Sequence, residues 1–81
     1  MMGTQVYFDG LPEDADYELI ESEFVKVHDE PHGIIRDKYT PKNGFMVYGH
    51  WKPSHGYETE KQLKEILDRL GYKGYESYVS Y

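Results

Sequence analysis

Apolar and polar positions alternate from Thr4 to Asp9, with Val6 and Phe8 on one side of a strand and Tyr7 and Asp9 on the other. Gly10-Leu11-Pro12 breaks that run, and Asp14 or Asp16 stands where a helix needs its N-cap. Tyr17, Ile20, Phe24 and Val27 then recur at helical spacing, while Glu18, Glu21 and Glu23 face water. Glu18 and Glu21 also lie near the positive end of the helix dipole. Asp29-Glu30-Pro31-His32-Gly33 ends the helix, since Pro31 cannot continue it and Gly33 permits a turn.

The second half repeats the alternation of periods. A strand is expected from about Gly33 to Asp37, a hairpin turn at Thr40-Pro41-Lys42-Asn43-Gly44, and a third strand from about Phe45 to Trp51. Lys52-Pro53-Ser54-His55-Gly56 reads as a loop. A second helix follows from about Glu58 to Leu70, with Leu63, Ile66, Leu67 and Leu70 as its apolar stripe and Gly71 as its stop. Tyr75 to Tyr81 is the last strand. The order is βαββαβ, which predicts an α+β fold: a four-stranded antiparallel sheet with two helices on one face. Its expected core is Val6, Phe8, Ile20, Phe24, Leu63, Ile66, Leu67 and Leu70.

Composition narrows what such a frame can do. Residues 1–81 make one small domain with a limited core. Only 38% of residues are hydrophobic and the mean hydropathy is −0.81, yet 16% are aromatic, nine of them tyrosine. Tyrosine supplies core area while keeping a polar tip, which suits a thin domain. With no cysteine, disulfides, thiolate zinc sites and cysteine nucleophiles are excluded. The absence of a membrane-length apolar run and of a basic, apolar leader predicts a soluble, cytoplasmic protein. The net charge of −6 is unevenly spread. Residues 1–30 carry nine acids against Lys26 alone, a balance of −8, whereas residues 31–55 carry Arg36, Lys38, Lys42 and Lys52 against Asp37, a balance of +3. An acidic lobe beside a modestly basic middle suggests two functionally different faces.

Val6-Tyr7-Phe8-Asp9-Gly10-Leu11, the Leu11-Pro12 pair, Ile20 and Phe24, and Gly44-Phe45 together resemble an RNA-recognition motif over residues 5–51. Asn43 stands at that family's usual basic position, Val47 at its second exposed aromatic and His50 at its last aromatic. The resemblance implies a ferredoxin-like fold, an open sheet face that binds single-stranded RNA or DNA, and Tyr7 and Phe45 as base-stacking rings with Val47 beside them. Arg36, Lys38, Lys42 and Lys52 would then lie near the phosphates. A fainter resemblance, from Phe45–Tyr48 through Leu67 and Leu70-Gly71-Tyr72 to the last strand, is to the SPOR peptidoglycan-binding repeat.

Two rivals follow from the residues themselves. Phe45 and Val47 face the open side in one register of the third strand; in the other, Met46, Tyr48 and His50 do. The open face could dock a protein or a second copy, as a monomer or weak homodimer, instead of a nucleic acid. The acidic positions Asp14, Asp16, Glu18 and Glu21 could then engage a basic partner or mimic nucleic acid, as in a small phage-type inhibitor. His28, His32, His50 and His55 read as loop histidines near the surface, split by Pro31 and Pro53, and no metal or other cofactor is expected. No phosphate loop, nucleophile elbow or zinc-protease motif occurs, so the expectation is a binding module without enzymatic activity.

Overall fold

The computed structural model describes residues 3–28 and 33–81. It contains β1 (Thr4–Asp9), α1 (Tyr17–Val27), β2 (Phe45–Gly49), α2 (Pro53–Arg69) and β3 (Glu76–Ser80). The strands form one antiparallel sheet in the order β2-β1-β3, with Val6 opposite both Val47 and Val79 and Tyr7 opposite both Met46 and Tyr78. The architecture is α+β, with two helices and a three-stranded sheet. Among the described residues, no helix is long and apolar enough to cross a membrane.

The core lies between the helices and one side of that sheet. Val6 and Phe8 from β1, Phe45 and Val47 from β2, Ile20 and Phe24 from α1, and Leu63, Ile66 and Leu67 from α2 are all buried in one cluster. Burying such side chains contributes about 1.5–3 kcal/mol each, which makes this cluster the main stabilising feature of a short chain. Leu70, expected in the core, is only partly buried at its margin. Val27, expected on the buried stripe of α1, is 49% exposed. It is the last residue of the helix.

The strand expected over 33–37 is reduced to a single bridge in which Ile35 and Met46 exchange backbone hydrogen bonds of 2.7 and 3.0 Å. A competing bond ends it toward residue 37, while before Ile35 the chain is held to α1 instead. The Ile34 amide donates to the Glu21 carboxylate at 2.9 Å, and Asp37 closes a tight turn with Thr40. β2 also stops at Gly49, two residues before the expected end, because the chain turns so that the Trp51 carbonyl accepts the Thr4 hydroxyl at 2.6 Å. The predicted helix stop at Asp29–His32 falls outside the described residues.

α2 begins five residues earlier than expected. Pro53 opens its first turn, where a missing N–H costs nothing. Gly56 sits inside the helix and reads falsely as a breaker. A Cβ there would come within 2.5 Å of Thr4 Cγ2 and 3.2 Å of Val79 Cγ1. Glycine therefore lets α2 lie close against β1 and β3. At the other end of α1, Asp16 caps the helix by accepting from the Leu19 amide at 3.1 Å.

Candidate functional site: the open face of the sheet

The side of the sheet away from the helices is uncovered by any described element. In-register pairing sets its rows. Met46, Tyr7 and Tyr78 cross it side by side, Tyr48 flanks Gln5 with Ser80 beyond, and Asp9 meets Glu76 at one end. The Tyr7 and Tyr78 rings stack with centroids 4.8 Å apart and planes 15° from parallel. Tyr78 is 54% exposed. Tyr48 meets His50 edge-on at 5.4 Å. Beside it a hollow of about 320 Å³ opens at the β2 edge, lined by Gly33, Ile34, Ile35, Tyr48, Gly49 and His50. The resulting surface is aromatic and polar, with two carboxylates at one end.

Phe45 and Val47 do not belong to this face. Both are fully buried, with Phe45 stacked on Phe8 at 5.0 Å and edge-on to Tyr17 at 6.4 Å. Pairing of Val6 with Val47 and of Phe8 with Phe45 forces these residues to share the helix side, so β2 takes the register that exposes Met46 and Tyr48. The expected Tyr7–Phe45 platform is replaced by Tyr7–Tyr78.

The cations are likewise elsewhere. Arg36 lies on the helix side, its guanidinium 3.6 Å from the Tyr17 ring centroid, and it donates to the carbonyls of Gly44 and Lys42 at 3.0 and 3.2 Å. It holds the hairpin loop closed and is not available to a ligand on the open face. Lys38 projects beside Tyr39, 5.1 Å from the ring centroid, in the same exposed turn region. Lys42 precedes β2 and Lys52 follows it, which puts them beyond opposite ends of the sheet. Tyr7 alone, of the seven residues expected to bind nucleic acid, lies on the open surface of the sheet itself.

The acidic positions also divide. Asp14 and Glu18 are exposed, and Asp16 is exposed while capping α1. Glu21 is half-buried and tethers the segment after residue 32 through the Ile34 amide. Glu23 accepts from Lys26 at 2.8 Å and Arg69 at 2.9 Å; the Lys26 hydrogen bond, with the charges of Lys26 and Arg69, lowers its carboxyl pKa. Most of this lobe is thus solvated helix surface and local structure.

His28 corrects the surface reading of the histidines. It is 8% exposed and packs between Phe24 and Trp51, at 4.8 and 5.2 Å between ring centroids. Its Nε2 lies 3.1 Å from Thr59 Oγ1, and Thr59 donates its one hydroxyl proton to the His55 carbonyl at 2.9 Å. Nε2 must therefore carry the proton in that contact. His28 serves packing at the foot of α1. His32 lies outside the described residues, and among those described no group of three or more His, Cys, Asp or Glu side chains could hold a metal.

Tyr78 is the face residue that sequence reasoning missed, whereas Met46 and Tyr48 belong to the alternative register of the third strand, the one β2 adopts. One signal for Tyr78 was present: Val79, the only aliphatic residue in Glu76–Ser80, must face the helices, which sends Tyr78 to the other side. No family model matches the chain, and comparison with curated proteins and with solved structures finds no match for it.

Proposed function

We propose that this chain is a small protein-binding module that works through the open face of its sheet, with Tyr7, Tyr78, Tyr48 and Met46 as the contact residues. The observation that carries this reading is the composition of the face: stacked tyrosines, a methionine and neutral polar groups in its paired rows, where Asp9 and Glu76 are the charged members among the described residues. Tyrosine and methionine are enriched at protein interfaces, where a rigid aromatic ring offers area at low entropic cost. A nucleic-acid surface needs cations among its rings to release counterions. Here Arg36 is occupied on the other side, and Lys42 and Lys52 lie beyond the sheet's ends.

The frame is best read as a ferredoxin-like βαββαβ in which the second strand has shrunk to the Ile35 bridge. That bridge lies outside β2, where such a strand would pair. Single-stranded RNA or DNA is the second reading, favoured by one feature, the near-parallel Tyr7–Tyr78 stack, which has the geometry of a base platform.

The test places a photo-crosslinking side chain at Met46 in one variant and at Glu18 in another, in a lysate of the source cells. A protein adduct from Met46 that disappears with Tyr78→Ala is expected. Adducts from Glu18 alone would move the binding surface to the acidic helix, and a nucleic-acid adduct from Met46 would replace the protein reading by the second.

A further inference from the structure

The two edges of the sheet are finished differently. On the β2 side, Ile35 takes and gives backbone hydrogen bonds at Met46. On the β3 side no described segment pairs with the outer edge. Because Met46 turns its N–H and C=O outward to Ile35, its β1 partner Tyr7 turns its own toward β3, where Tyr78 is opposite. Tyr78 therefore directs its backbone groups inward, and alternation directs those of Ser77 and Val79 out of the sheet. Natural edges are blunted by Lys, Pro, bulges or a covering segment. Residues 75–81 hold no Pro, Gly or Lys, and β3 pairs with β1 without a bulge.

We propose that the outer edge of β3 pairs antiparallel with the same edge of a second copy, giving a two-fold dimer with a continuous six-stranded sheet. The register is set by which backbone groups face out. A two-fold axis must bring outward residues opposite outward residues, so it can pass at Ser77, Tyr78 or Val79. The axis at Tyr78 uses the strand most fully. Ser77 of one protomer faces Val79 of its partner and the reverse, while Tyr75 and Tyr81 meet at both ends. It sets Glu76 across from a serine, Ser80, and keeps the two Glu76 carboxylates apart. On the open face the Tyr78 rings of the two copies become directly opposed neighbours, so the row Met46–Tyr7–Tyr78 continues into the partner's row.

The association is weak for two stated reasons. One short edge buries less than the roughly 1,200 Å² of a standard stable interface. Each copy also carries a net charge of −6, and that repulsion is relieved by salt. The edge is a different surface from the open face, which stays free in the dimer and doubles in length.

Sedimentation velocity of the whole chain up to about 1 mM, at low and moderate salt, reads the association directly. Val79→Pro removes an outward N–H that no described residue uses, and Tyr78→Glu sets two carboxylates against each other at the axis. Both variants are expected to weaken dimerisation at least roughly tenfold, with far-UV circular dichroism unchanged. Tyr48→Ala, on the face but two strands away, should leave dimerisation as it was. Should Val79→Pro misfold, Tyr78→Glu decides alone. A monomer at every concentration and salt, or a dimer indifferent to the folded variants, would overturn the proposal.

Discussion

Phe45→Ala separates the two registers of β2 in one experiment. Phe45 is fully buried, stacks on Phe8 at 5.0 Å and meets Tyr17 edge-on at 6.4 Å. Truncating such a ring costs about 3–5 kcal/mol, from lost transfer energy and the cavity left behind. A chain of this length has a total stability of roughly 4–12 kcal/mol, so the loss is a large part of the whole. Tyr7→Ala, on the open face, removes a ring already in contact with water on one side and its stack with Tyr78, and should cost only about 1 kcal/mol. Urea denaturation followed by circular dichroism measures both. With a slope near 1 kcal/mol/M, Phe45→Ala should lower the midpoint by about 3 M or prevent folding, and Tyr7→Ala should lower it by about 1 M. A severe Tyr7→Ala with a mild Phe45→Ala would mean that β2 is slipped by one residue and that the face assignment is inverted.

Three further substitutions test the packing. The Tyr17 hydroxyl is buried without a hydrogen-bond partner among the described residues, so Tyr17→Phe should be neutral or stabilising by about 1 kcal/mol in the same urea assay. Gly56→Ala places a Cβ against the rigid Thr4 side chain at 2.5 Å; despite better helix propensity it should destabilise by roughly 1–3 kcal/mol, read as a fall in melting temperature. The Tyr75 phenol is pushed up to about 12 by burial and by its hydrogen bond to Asp68. Its stabilising contribution is complete below the ordinary phenol pKa of about 10 and is lost as pH rises through about 12; Tyr75→Phe should flatten the stability curve across that window.

Periodicity made the helices and most of the core legible, and little of the face. Val6, Phe8, Ile20, Phe24, Leu63, Ile66 and Leu67 are buried as their spacing requires, because each sits in a stripe with polar neighbours on the other side. β2 carries no such contrast. Phe45, Met46, Val47 and Tyr48 are all apolar or aromatic, so neither parity is disfavoured, and only pairing with Val6 and Phe8 chooses between them. The strand expected over 33–37 failed because side-chain bonds from Arg36 and Thr40 take the Gly44 carbonyl and the Asp37 amide that would continue the ladder, while Glu21 holds the Ile34 amide to α1. Those partners are distant in sequence or invisible in a propensity pattern. Gly56 misled for a related reason: glycine marks a loop locally, but here it answers to Thr4, fifty-two positions away. His28 was read as surface because its burial depends on Trp51 and Thr59, brought to it only by the fold.

The reading of the open face as a protein-binding surface is tested most directly by titrating isotope-labelled protein with a mixed-sequence pool of single-stranded RNA and DNA at low salt. Phosphate attraction is strongest there, so any nucleic-acid affinity is at its most visible. The resonances to follow are those of Tyr7, Met46 and Tyr78. No saturable shift is expected at these positions, because the paired rows of the face carry carboxylates at one end and, among the described residues, no cation between their rings. Saturable shifts confined to these residues, weakened by Lys42→Ala, would contradict it and establish the sheet as a nucleic-acid platform.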